Sequence, residues 1–177
     1  MAILIEGISV VIRAKALSKK YPGGWEKFKE NVPNQTLCAD GELVRVGFMA
    51  PTDSEDYIHS LEAIGLVYLK KDVPQDIIVI DQQSGPTKNC SWIEFGKIEL
   101  DNNPEKQISA SWLKGSEIEE VVMPENWKYE DSLSAKYTFI RAEDINGRMI
   151  RFKKEDGIET YYDLKTGKTS YVGRTNK

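Results

Sequence analysis

Apolar residues along this chain follow two rhythms, one of period two and one of period near 3.6. Ile3 to Ile12 is rich in Ile and Val with a single Gly, which predicts a strand. Ala14 to Tyr21 favours helix, and Pro22-Gly23-Gly24 interrupts it. Tyr21, Trp25, Phe28 and Val32 then recur at spacings of four, three and four. That spacing places them on one helical face, so a helix is expected over about 24–32, stopped by Pro33. Asp40-Gly41 signals a tight turn, and Leu43–Phe48 reads as the next strand. Thr52-Asp-Ser-Glu55 matches the capping-box pattern. It predicts a helix over Asp53–Ile64, with Tyr57, Ile58, Leu61 and Ile64 turned inward and Gly65 in the left-handed position that ends it.

Leu66–Leu69, Ile77–Ile80 and Ser91–Ile98 read as strands. The order β-α-β-α-β-β-β predicts an α+β fold with helices on one face of a mixed or antiparallel sheet. Asp101-Asn-Asn-Pro104 reads as a turn or linker, and Ile108–Leu113 and Glu117–Met123 as weaker strand candidates. Beyond them, Tyr137–Ala142, Arg148–Lys154, Ile158–Asp163 and Lys168–Gly173 are separated by Asn146-Gly147, Asp156-Gly157 and Lys165-Thr-Gly167. Asn-Gly and Asp-Gly favour hairpins because both central residues need positive φ. The expected architecture is therefore two main helices and a sheet, closed by a C-terminal antiparallel β-meander. Two organisations fit: one domain over 1–177, or an α+β core over 1–100 followed by a β-rich subdomain over 105–177. Two-residue turns in the meander would set Tyr137, Phe139, Ile150, Phe152, Tyr161 and Val172 on one face. The other would carry Met149, Arg151, Lys153, Ile158, Tyr162 and Tyr171.

Composition narrows the function classes. With 177 residues, 40% apolar and 29% charged, the chain has the make-up of an ordinary globular protein able to bury a core. Its apolar runs are far shorter than the ~20 residues a membrane helix needs, and the start has no basic segment of a signal peptide. A cytoplasmic protein with two free thiols, Cys38 and Cys90, is expected. No C-x-x-C pair occurs, and His59 is the only histidine, so catalytic zinc is disfavoured. Gly23-Gly24 lacks the spacing and lysine of a phosphate loop. No cofactor, metal or catalytic set is expected.

Charge is uneven. The net charge of −4 disfavours generic nucleic-acid binding. Residues 145–177 hold eight Lys/Arg against four Asp/Glu, whereas Glu94 to Asp131 holds ten acidic residues against four Lys. The leading reading is a non-catalytic protein-binding module in which Glu117, Glu119 and Glu120 meet a basic partner protein. The alternative is a ligand-binding protein or enzyme working at Asp81, Gln82, Gln83, Trp92 and Glu94. Asp81, Gln82 and Gln83 leave the end of an apolar strand, Trp92 and Glu94 share one face of the next, and the set offers two carboxylates for acid–base work. A third reading is single-stranded nucleic-acid binding by Arg151, Lys153, Tyr162 and Tyr171, with aromatics to stack bases beside cations for phosphates.

Gly41–Met49, Val79–Thr87, Trp92–Gly96 and Trp127–Ser134 resemble stretches of small uncharacterised bacterial proteins, and the likeness extends over most of the chain. It implies no activity and carries over no functional residue. Small, acidic, motif-poor α+β proteins are common among bacterial immunity proteins that neutralise toxins, a resemblance of class alone.

Overall fold

The computed structural model describes residues 1–141, 149–155, 158–163 and 169–173, with side chains through residue 135. The strand expected from Ile3 to Ile12 is two strands, β1 (Ala2–Ile5) and β2 (Ile8–Arg13), in different sheets. The chain turns between them at Gly7, whose φ is +58°. Next come α1 (Ala14–Lys20), α2 (Gly24–Asn31), β3 (Cys38–Ala39) and β4 (Leu43–Phe48). They are followed by α3 (Pro51–Ala63), β5 (Leu69–Lys70), β6 (Val73–Pro74), β7 (Ile77–Asp81) and β8 (Gly85–Pro86). Two long strands, β9 (Ile93–Leu100) and β10 (Asn103–Leu113), precede the short β11 (Val121–Val122). A 3-10 turn at Tyr129–Asp131 and α4 (Leu133–Lys136) lead to β12 (Tyr137–Arg141), β13 (Met149–Glu155), β14 (Ile158–Asp163) and β15 (Thr169–Gly173). The fold class is α+β, as the sequence pattern implies.

Three layers follow from period-two alternation. The first sheet has strand order β3-β4-β2-β7-β8, and every pairing in it is antiparallel. One of its faces sends Val10, Ile12, Val44, Val46 and Ile77 against Leu17, Phe28, Ile58 and Leu61 of the helices. Its other face sends Val11, Cys38, Ile78 and Ile80 against Ile3, Ile5 and Ile93 of the second sheet, ordered β11-β1-β10-β9. Strands β1 and β2 are therefore interior in their sheets, which is why Ala2–Ile12 is apolar almost without interruption.

The aromatic face of α2 forms as its spacing predicts. Phe28 is buried between Tyr21, edge-on at 5.3 Å, and Trp25, stacked at 5.7 Å. The start of α3 differs from expectation. Ala50 is its N-cap, Pro51 opens it, and no side chain caps it, so Thr52 lies inside the first turn. Proline at the first helical position has a pre-set φ and lacks only an N–H that would be unpaired there. That device displaces the capping box by two residues. At the other end Gly65 takes a φ of +113°, as expected of the terminating glycine.

Two hairpins form without glycine. Lys71-Asp72 joins β5 to β6, and Asp101-Asn102 joins β9 to β10, all four residues having φ of 52–64°. A boundary between 100 and 105 would cut this second hairpin, and β10 also pairs with β1. Of Glu117–Met123, only Val121–Val122 is strand. In the last sheet β13, β14 and β15 form the antiparallel meander, but β12 joins β15 in parallel rather than pairing with β13. Asn146-Gly147, Asp156-Gly157 and Lys165-Thr-Gly167 lie outside the described residues.

Candidate functional site

The five residues expected to form a pocket after β7 are engaged separately. The Asp81 carboxylate accepts the N–H groups of Gln83 and Ser84 at 2.8 and 2.9 Å, an ordinary turn. Gln82 is buried, and its Oε1 accepts the Gly7 N–H at 2.8 Å while its own N–H donates to Gly7 O at 3.0 Å. The Trp92 indole donates to Pro74 O at 3.2 Å and lies 5.0 Å beneath the Arg13 guanidinium. Glu94, on an exposed strand position, accepts the Trp112 indole at 2.7 Å. Gln82 is thus a clasp for the β1–β2 turn, and the two carboxylates do structural work apart from each other.

In the C-terminal sheet the register shifts between Arg151 and Lys153. Arg151 is aligned with Tyr161, and Ile150 with Tyr162. A continuous alternation was required to align Arg151 with the Tyr162 and Tyr171 set, and the irregularity breaks it.

The acidic candidates sit beside a groove. Glu117, Glu119 and Glu120 are exposed, and Glu119 and Glu120 line a groove of about 380 Å3 with Glu99 and Asp101. Glu117 lies next to it, its carbonyl taking the Met1 ammonium at 2.7 Å.

A larger concavity, about 570 Å3, opens where the β1–β2 break meets the end of β4 and the segment 124–133. Its floor is built on two buried charges. The Glu6 carboxylate accepts the Trp127 indole N–H at 2.8 Å, the Ser134 N–H at 2.8 Å and the Ser134 hydroxyl at 2.7 Å. Arg45 donates from Nε to Ser9 Oγ (2.9 Å), from Nη1 to Thr36 O (3.1 Å) and from Nη2 to Glu6 O (2.8 Å). Buried charges are tolerated only when hydrogen bonds replace their water, and each has three. Burial lowers the Arg45 pKa, opposed by Cys38 and Glu6. Sequence reasoning passed over both residues. Their one signal was a charge inside an apolar strand run: Glu6 after Ile5, Arg45 between Val44 and Val46.

Cys38 is aligned with Arg45 across β3 and β4. Burial pushes its thiol above the usual range, with Arg45 opposing. An unfolded thiol ionises near about 8.5. Since the folded thiol holds its proton to higher pH, this group's contribution is complete below that value and is lost as the pH rises toward the folded pKa. Urea melts are expected to show stability falling above about pH 8.5, by up to ~1.4 kcal/mol per unit from this group. Cys38→Ala should flatten that slope more than Cys90→Ala, because the partly buried Cys90 is the less enclosed thiol. A slope unchanged in Cys38→Ala contradicts the assignment.

Among the described residues no three His, Cys, Asp or Glu side chains converge as metal ligands, and no helix is long and apolar enough to cross a membrane. No family model, curated protein or solved structure matches the chain.

Proposed function

We propose that this chain is a non-catalytic protein-binding module whose contact surface is the acidic groove at the turn end of the β9–β10 hairpin. The observation that carries the reading is the groove's lining. Glu99, Asp101, Glu119 and Glu120 flank Leu100, Ile118, Val121 and Met123, and among the described residues no Lys or Arg lines it. Ile118 is 43% exposed and brings the apolar lining of the groove to the surface. An apolar strip edged by one sign of charge fits a segment in which basic and apolar residues alternate. The partner is then a protein with a basic face. Nucleases need such a face to hold phosphates, and a protein that neutralises a nuclease toxin needs an acidic surface to cover it.

The test uses a short peptide of alternating Lys and Ile, with a Glu–Ile peptide as control. The Lys–Ile peptide is expected to shift the amide resonances of Ile118, Val121 and Met123. The double variant Glu119→Lys/Glu120→Lys should weaken it at least about tenfold and flatten its salt dependence. Shifts scattered elsewhere, or equal binding by the variant, would overturn the proposal.

A further inference from the structure

Among the described residues five large apolar side chains are exposed, and three of them, Val67, Leu69 and Val73, fall within residues 67–73. Single exposed apolar residues are ordinary, whereas a cluster marks a contact surface. The three lie on and just before the β5–β6 hairpin, where Leu69 pairs with Pro74 and Lys70 with Val73. A ribbon this short is not stable alone and has to be held from outside. The Asp76 carboxylate accepts the Val67 N–H at 2.8 Å and the Lys20 ammonium at 2.6 Å, and the Trp92 indole donates to Pro74 O at 3.2 Å. The hairpin is thus fixed at its base, and its tip, residues 70–73, is exposed throughout.

The tip is basic. Asp72 is taken by Lys88 at 2.9 Å, while Lys70 and Lys71 form no ion pair with a described residue. Lysines set between exposed aliphatic residues are the complement of the acidic groove, where Glu99, Asp101, Glu119 and Glu120 surround Leu100, Ile118, Val121 and Met123. None of those four carboxylates pairs with a described cation either. The two surfaces of one copy do not meet. Trp92 ties the hairpin to the start of β9, and Leu100, Asp101 and Asn102 line the groove at its far end. The eight residues of β9 run extended between them, about 25 Å.

With the groove taken as a protein-contact surface, as proposed above, we infer that it receives the β5–β6 hairpin of a second copy of this chain. Lys70 and Lys71 lie against the carboxylates, and Leu69 and Val73 against Ile118, Val121 and Met123. The contact is head to tail, because the two surfaces differ. One hairpin tip in one groove is a small interface, so the association is weak, with a Kd on the order of 0.1 mM. A basic partner protein that takes the groove has to displace it.

The test uses two charge-reversed variants. Lys70→Glu/Lys71→Glu disables the hairpin, and Glu119→Lys/Glu120→Lys disables the groove. In sedimentation equilibrium the unaltered chain is expected to gain mass between about 0.01 and 1 mM, and each variant alone to stay monomeric. Their equimolar mixture should associate again, with a Kd within about threefold of the unaltered chain's, because the intact groove of one meets the intact hairpin of the other. With the hairpin variant isotope-labelled, its Ile118, Val121 and Met123 amides should shift on mixing. The neutral variants Lys70→Ala/Lys71→Ala and Glu119→Gln/Glu120→Gln form a second set, with the same pattern expected. An unaltered chain that stays monomeric to about 1 mM, mixtures of both sets no more associated than their parts, or shifts confined to other residues would overturn the inference. The Lys–Ile peptide separates this from failure of the groove itself. Groove shifts with the peptide but none with the mixture rule out the second copy alone, whereas silence in both rules out the two readings together.

Discussion

Gly47→Ala is expected to destabilise the protein by about 2–4 kcal/mol, although alanine suits a strand better than glycine. An alanine Cβ at this position would lie 2.4 Å from Nη2, 2.7 Å from Cζ and 3.2 Å from Nη1 of Arg45. On a surface a long side chain would swing away. Here the guanidinium is buried and held by Ser9, Thr36 and Glu6. Moving it strands a cation and three acceptors, and hydrogen bonds to charged groups are worth about 1.5–3 kcal/mol each. The propensity gain of roughly 0.5–1 kcal/mol is too small to offset this. A double-mutant cycle isolates the cause. With Arg45→Met the obstacle is gone, so adding Gly47→Ala should cost less than about 1 kcal/mol. Equal penalties in both backgrounds, measured by urea unfolding, would rule out the packing of Arg45 on Gly47 as the source.

Much of the fold was legible because its signals are local. The spacing of Tyr21, Trp25, Phe28 and Val32 gave α2 its buried face, and the apolar stretch at 77–80 gave β7. What was hidden depends on partners distant in sequence. The split of Ala2–Ile12 into two strands is set by Gln82, which clasps Gly7 from 75 positions away. The β5–β6 turn was hard to see because Lys71 and Asp72 take positive φ without glycine, a conformational penalty that the pairing outweighs, whereas 101–104 signalled a turn or linker but not the long hairpin around it. The capping box was a real pattern with a stronger competitor, Pro51, one residue before it.

The site was less legible than the fold, for a related reason. Sequence reasoning looked for carboxylates leaving a strand end and found Asp81 and Glu94, which are spent on a turn and on Trp112. It passed over Glu6 and Arg45, the charges that stand inside apolar strand runs. A charged residue in a run that must be buried is the more informative sign, because burial without a purpose-built set of partners is so unfavourable. Glu6 finds those partners 121 and 128 positions later, at Trp127 and Ser134. Sequence pattern alone had no means of bringing that distance together.

Gly7→Ala should be the most damaging single change at the β1–β2 break, by about 3–4 kcal/mol. Two effects add there. The φ of +58° costs a non-glycine residue roughly 1–2 kcal/mol. A Cβ would also stand 2.8 Å from Phe48 O, a backbone atom at the paired end of β4 that has no rotamer to escape into. Gly41→Ala provides the control, since Gly41 also has a positive φ, +91°, but a Cβ there meets nothing within 4 Å. The difference between the two penalties measures the clash, and it should exceed about 1 kcal/mol. The damage should reach the concavity over Glu6 as well. If β1 and β2 cannot turn at Gly7, the Glu6 carboxylate is no longer aimed at the Trp127 indole, and that N–H should move toward its solvent-exposed chemical shift in Gly7→Ala while staying put in Gly41→Ala. Equal penalties and an unmoved Trp127 resonance would show that the break tolerates a side chain and that Glu6 is positioned by something other than Gly7.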